Sequence, residues 1–115
     1  MEISPGRVVL ELAFRPDLCQ QKGFLHAGVI ASIADSACGY AALTLMPPGS
    51  DVLSVEFKVN LLAPALGDRV RAVGTVVRSG RTLTVCSGEV LALAEDRPDK
   101  QVALMQATMI ALSSD

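Results

Sequence analysis

The sequence predicts an α+β fold in which one long helix packs against an antiparallel sheet, and three observations carry that prediction. From Ala27 to Leu45 apolar residues recur at helical spacing. Five other runs, at 7–14, 52–62, 69–78, 82–94 and 101–112, are rich in β-branched and aliphatic residues and read as strands. The order is therefore one strand, the helix, then four strands, with breakers where antiparallel connections need them.

The first strand is RVVLELAF, Arg7 to Phe14, and the punctuation of Pro16, Asp17 and Gly23 makes the next stretch a loop. In the helix, Val29, Ile30, Ile33, Ala34, Ala37, Cys38, Ala41 and Leu45 share the apolar spacing. Ala31, Ser32, Ser36 and Gly39 on the remaining faces are small, so the helix is expected to be wrapped nearly all round. At about 20 residues it would be roughly 30 Å long, ended by Pro47, Pro48 and Gly49. Val52 to Leu62 alternates, with Leu53, Val55, Phe57, Val59 and Leu61 on one face and Ser54, Glu56, Lys58 and Asn60 on the other. Pro64 and Gly67 break it. Ser79-Gly80-Arg81 is a hairpin signal between the next two strands, and Asp96–Lys100, with Pro98, is the turn before the last. No internal repeat or domain boundary interrupts residues 1–115, which suit a single domain.

Half of the chain is hydrophobic and only 19% is charged, a balance that points to burial in an oligomer, because a lone domain of this size exposes much of its surface. A net charge of −2 with scattered basic residues leaves no electrostatic footprint for nucleic acid. Cys19, Cys38 and Cys86 show neither a disulfide framework nor zinc-ligand spacing, which fits a reducing cytosol and no metal. Cys38, inside the apolar helix, reads as a small core residue. The start MEISPGRVVLEL lacks the basic and apolar regions of a signal peptide. Asp35 and the small residues argue against membrane insertion of 27–46, so a soluble cytoplasmic protein is expected.

Chemistry concentrates in LHAGVIASIADSACGYAA, Leu25 to Ala42. Asp35 is the only charged residue between Lys22 and Asp51, and burying a carboxylate among apolar neighbours is costly unless something compensates it. A partly buried acid can act as general base or nucleophile. His26, the only histidine, stands at the helix start, where capping or packing is its ordinary role. Nine residues, about two and a half turns, separate it from Asp35, so the two do not form a relay within one chain. The N–H groups of Ala27, Gly28 and Val29 are expected to lack intrahelical partners and to point, with the positive end of the helix dipole, at a carbonyl oxygen. Gly28 would let a ligand approach closely.

LHAGVIASIADSACGYAA, followed by LSVEFKVNLLAP and then VVRSGRTL, resembles the hotdog-fold acyl-CoA thioesterases of the phenylacetate-pathway type, over Gln20 to Leu112. The resemblance implies a long central helix wrapped by a five- to six-stranded antiparallel sheet, and homodimers joined edge to edge with active sites at the interface. It further implies that these dimers pair into homotetramers. On this pattern Asp35 is the acid that attacks the thioester carbonyl or directs a water at it. Ala27 takes the place of the glycine whose N–H meets the thioester oxygen, Gln20 that of a side-chain amide polarising the same oxygen, and Ser54 that of an assisting hydroxyl. His26 would position the loop or the substrate. Where the family has HGG this chain has HAG, and alanine still supplies the N–H. Arg78, Ser79, Gly80 and Arg81 resemble the segment that meets the coenzyme A phosphates, although two charged residues in a solvated turn are commonplace. Tyr40, Phe57 and residues 8–12 are candidates for lining an acyl pocket.

The expected activity is hydrolysis of an acyl-CoA to a carboxylic acid and free coenzyme A, with no cofactor beyond the coenzyme A of the substrate. The hotdog fold also hosts other functions. An acyl-thioester hydratase or dehydratase would use His26 for proton transfer. A non-catalytic acyl-CoA-binding module would bind without releasing thiol and would have no need of Asp35.

Overall fold

The computed structural model describes residues 1–19 and 25–113. Its elements are β1 (Glu2–Ser4), β2 (Arg7–Ala13), a short 3-10 turn (Pro16–Leu18), α1 (Ala27–Leu43), β3 (Ser50–Leu61), β4 (Arg69–Ser79), β5 (Leu83–Ala94) and β6 (Arg97–Ser113). The strands form one antiparallel sheet in the order β1-β2-β4-β5-β6-β3, with α1 lying across one face. The α+β expectation holds, with six strands.

Small residues set how closely the helix can approach. Gly74 of β4 and Gly88 of β5 are paired directly across the ladder. A Cβ at Gly74 would run into the backbone carbonyl of Ala37, and one at Gly88 would come within 3.0 Å of the Cys38 Sγ. Ala34, Ala37, Cys38 and Ala41 are the helix residues buried above them. Around this seam the core is aliphatic and sulfur-rich: Val8, Val70, Val90, Val102, Met105 and Met109 are among its most deeply buried large side chains. Such an alanine face packs tightly only because the strands beneath carry no Cβ at the crossing.

Four local features depart from the sequence expectations. Pro5 and Gly6, with Gly6 at φ 76°, turn an unforeseen three-residue β1 back onto β2. The helix ends at Leu43 and leaves Leu45 beyond it. There the Thr44 hydroxyl donates to the Ala41 carbonyl at 2.6 Å and accepts the Gly6 N–H at 2.8 Å, tying the helix end to the first hairpin. Asp96–Lys100 is not a long turn. β6 already begins at Arg97, paired with Ala94, and Pro98 is accommodated where the register shifts between Ala92 and Ala94. Finally, one sheet covers only one side of a helix, so Gly28, Ser32, Ser36 and Tyr40 on the opposite side are exposed in the single chain rather than wrapped. Among the described residues no helix is long and apolar enough to cross a membrane.

Candidate active site

Asp35 lies on the flank of α1 that faces β3, and a bulge in β3 brings it a partner. Opposite β6, Ser54 pairs with Met109 and Glu56 with Thr108, so Val55 is an extra residue. The inserted residue switches which alternate positions face the helix. Before it, Val52 and Ser54 lie opposite Ala111 and Met109; after it, Phe57, Val59 and Leu61 lie opposite Ala107, Met105 and Ala103. The strict alternation read from the sequence, with Ser54 grouped with Glu56, Lys58 and Asn60 on the polar face, is thus broken at Val55.

The Ser54 hydroxyl, turned inward, donates to Asp35 Oδ1 at 2.7 Å, the length of a charge-assisted O–H···O bond. Its oxygen also lies 3.4 Å from the Met109 sulfur, which forms the buried floor beneath the pair. Asp35 is half-buried rather than enclosed, and it opens into a cleft of about 230 Å³ lined by Ser36, Gly39, Tyr40, Val52, Ser54 and Met109. Gly39, one turn beyond Asp35, leaves open space where a side chain would stand. Met109 and Val52 were not singled out in the sequence, because a buried methionine or valine in a strand carries no signal of its own; Gly39 could have been found from its i+4 spacing to the acid.

At the other end of α1, His26 is the N-cap residue with φ −61° and ψ 142°, and its side chain makes no capping bond. Its backbone is pinned on both sides. The His26 N–H donates to the Leu18 carbonyl at 3.1 Å, and the His26 carbonyl accepts from Val29 at 3.0 Å and Ile30 at 3.2 Å. Val29 N–H is therefore spent inside the helix, contrary to the sequence expectation, while Ala27 and Gly28 are exposed in the first turn, ahead of that bond. A Cβ at Gly28 would meet nothing within 4 Å, so the approach to this helix end is open. Gln20 lies outside the described residues.

Eight residues separate Ala27 from Asp35, an axial distance of roughly 12 Å. A base and an oxyanion donor serving one carbonyl must both lie about 3 Å from the reacting group. Within one chain, then, Asp35 and Ser54 come together, and the helix start does not join them. Arg78, Ser79, Gly80 and Arg81 are exposed at the tip of the β4–β5 hairpin. The row Ser54–Met109–Thr84 across the sheet continues to Ser79, which pairs with Thr84 on the last rung before the turn. A Cβ at Gly80 would sit 2.5 Å from the Leu83 carbonyl oxygen, so glycine keeps this turn tight. Tyr40 lines the Asp35 cleft, whereas Phe57 does not.

The two buried thiols, Cys38 and Cys86, take no part. Burial foremost, then Cys86 and Asp35 nearby, push Cys38 up to about 12, and burial pushes Cys86 up to about 11. Both stay protonated and unreactive near neutral pH. No group of three or more His, Cys, Asp or Glu suited to a metal ion occurs among the described residues.

A family model described as the thioesterase superfamily matches residues 22–97. The chain belongs to the thioesterase superfamily. A solved structure of a thioesterase family protein from Silicibacter pomeroyi is similar over 99% of this chain and 83% of its own, at 46% identity and a TM-score of 0.96. A putative esterase of Saccharolobus solfataricus is 33% identical over 85 residues, 74% of this chain. Human acyl-coenzyme A thioesterase 13 is 28% identical over 85 residues, 73% of this chain. The chain matches 60% of the length of each of these last two relatives. In this thioesterase-superfamily chain the Asp35–Ser54 pair sets a carboxylate, and the hydroxyl that donates to it, on the wall of an open cleft.

Proposed function

We propose that this protein hydrolyses acyl-CoA thioesters, in a site that two chains build together. The Asp35–Ser54 pair carries the reading. Ser54 occupies Oδ1 and fixes the carboxylate of this cleft-lining residue, so Oδ2 is the oxygen left for the chemistry. That oxygen takes a proton from water as the water attacks the thioester carbonyl carbon, or attacks the carbon itself. The carbonyl oxygen gains negative charge and is met by the N–H of Ala27, and the family resemblance gives the Gln20 amide the same task. With water as the nucleophile, the tetrahedral intermediate expels the coenzyme A thiolate, which takes the proton from Asp35, and the carboxylic acid remains. With Asp35 as the nucleophile, loss of the thiolate leaves a mixed anhydride, which water hydrolyses to the acid and the free Asp35 carboxylate while its released proton goes to the thiolate. Once the acyl group is freed, the same site is ready for the next thioester, so the chemistry needs only side chains and backbone.

The 12 Å gap between Ala27 and Asp35 is bridged in this account by a second copy, whose helix start approaches the first chain's Asp35. The edge strand β3 supports that arrangement. It is 12 residues long, has no partner strand on its outer side among the described residues, and exposes Leu53, Val55, Phe57 and Leu61 by 54%, 56%, 46% and 54%. A long apolar edge of this kind is a template for pairing, and a two-fold pairing of β3 with its copy would make both sites alike. Two such dimers associate as a homotetramer. Arg78 and Arg81 meet the phosphates of coenzyme A, and His26 holds the substrate loop rather than moving a proton.

The test is thiol release from short, aromatic and long-chain acyl-CoAs by the wild type and Asp35→Asn. Release by the wild type that falls by about 10²–10⁴-fold in the variant supports the assignment. Tight binding with no release from any member would make the protein an acyl-CoA-binding module instead.

A further inference from the structure

Any two-fold pairing of β3 with a second copy sets one position of the strand on the axis, and the dimensions of the site say which. α1 runs antiparallel to β3: Ala27 lines a pocket with Leu61 and Leu62 at the end of the strand, and Asp35 a cleft with Val52 and Ser54 near its start. An axis that brings the second copy's Ala27 to Asp35 passes midway between the two levels, roughly 6 Å of helix from each. Measured from Ser54, the partner of Asp35, that is about two rungs of a strand. Ser54, Glu56 and Phe57 lie opposite Met109, Thr108 and Ala107, successive residues of β6, so Val55 adds no rung and the second rung is Phe57.

Side chains give the same answer. Paired residues of antiparallel strands stand on one face, so a register that keeps the faces matched slips by two residues at a time, which moves the axis by one. With Phe57 on the axis, the second copy's Phe57 lies beside it on the helix side, and Glu56 faces Lys58 in two equivalent pairs on the other side. The bulge keeps the inward residues matched, Ser54 with Val59 and Val52 with Leu61 of the second copy. Moving the axis one residue either way sets Lys58 on Lys58 or Glu56 on Glu56, and like charges directly opposite each other are destabilising. Neither charge is spent within the single chain. The Lys58 side chain has no ion pair or hydrogen bond among the described residues, and Glu56 has only a 3.4 Å contact from the Thr108 hydroxyl. Phe57, exposed and outside the Asp35 cleft, gains a partner in the same step.

We infer that two copies pair β3 antiparallel with Phe57 on the two-fold axis and Glu56 against Lys58 of the other copy, and that these charges reject the neighbouring registers. The inference rests on the two-chain site of the proposed function, and its test separates the two. Single cysteines replace Leu53, Glu56, Phe57, Lys58, Val59 and Leu61 in a Cys19→Ser background, whose remaining thiols, Cys38 and Cys86, are buried, and the proteins are oxidised with copper–phenanthroline. Disulfide-linked dimer should form most with Phe57→Cys, because an axis residue and its copy stand about 4.5–5.5 Å apart at Cα, within reach of a disulfide. One residue off the axis that spacing grows to roughly 8 Å, and at Leu61 to roughly 26 Å, so those variants should cross-link about tenfold less or not at all. Charge reversal reads the flanking pairs by a second route. Glu56→Lys or Lys58→Glu alone should raise the dimer dissociation constant, measured by sedimentation, about tenfold or more, and the two together should return it to within about threefold of wild type. A cross-linking maximum at another position, or a double variant that dissociates as readily as the singles, would overturn the register and leave the two-chain site standing. No cross-link at any of these positions would overturn the β3 pairing itself and, with it, the two-chain reading.

Discussion

Replacing Ser54 by alanine removes the hydroxyl that orients the candidate catalytic acid, and the structure sets the expected size of the effect. The lost interaction is a 2.7 Å hydrogen bond to Asp35 Oδ1. A hydrogen bond to a charged group is worth about 1.5–3 kcal/mol. If the whole of that energy holds the carboxylate in its reactive geometry, kcat falls about 10- to 150-fold. KM should change little, because the bond lies within the protein and not to the substrate. Since Ser54 opens to the cleft, water can replace its hydroxyl, and the melting temperature should move by only a few degrees. Ser54→Thr restores the donor and should recover most of the loss. The assay is steady-state thiol release across the three proteins, with thermal melts alongside. Wild-type kcat in Ser54→Ala would refute the reasoning, since the bond would then be a packing detail with no bearing on the acid.

Other consequences are equally open to measurement. Gly74→Ala forces a Cβ against the Ala37 backbone where nothing can yield, and should destabilise the fold by about 2–3 kcal/mol, seen as a melting temperature lower by on the order of 10 °C; an unchanged melt would contradict the helix–sheet seam. With Cys38 raised to about 12 and Cys86 to about 11, both carry their protons in the folded state up to far higher pH than in the unfolded one, so the stability they contribute is fully present below about pH 9 and fades as pH climbs through 11 and 12. Iodoacetamide at pH 8 should accordingly alkylate no more than Cys19 in the native protein and all three thiols in denaturant, as read by mass spectrometry. Arg78→Ala combined with Arg81→Ala should raise KM for an acyl-CoA about three- to tenfold, the scale of exposed ion pairs, while a truncated thioester without the nucleotide is turned over as before; equal effects on both substrates would remove the hairpin from phosphate recognition.

Much of this arrangement can be read along the chain because its strongest signals are local. The isolated carboxylate at Asp35 and the histidine before the helix are one-dimensional facts that can be read before any fold is known. The small residues across the helix turns are legible too, yet the single chain leaves that face exposed rather than wrapped. Ser54 is different. Its role depends on Val55 being an extra residue in β3, and an alternating run looks the same with or without a bulge until the opposite strand is known. Pro98 misled for a related reason: proline marks a turn in isolation, but a register irregularity in β6 tolerates it. The glycine pair Gly74 and Gly88 could be seen in the sequence, yet only the crossing helix gives it significance. Tyr40 and residues 10–12, which the family resemblance offered together, do line one groove between α1 and β2, whereas Phe57, offered with them, does not.

The two-chain site is the centre of the account, and mixing two inactive variants tests it. Asp35→Asn lacks the acid. Ala27→Pro lacks the donor N–H but keeps the helix, because proline suits the first helical position and His26 already has the extended φ −61°, ψ 142° that a following proline requires. Each homodimer should be nearly inactive. Co-expressed in equal amounts, half of the dimers are mixed, and each mixed dimer holds one intact site formed by Asp35 of one chain and Ala27 of the other, so about a quarter of wild-type activity should return. If the mixed preparation is as inactive as its parents, the acid and the helix start do not meet across the dimer, and the proposed site is wrong.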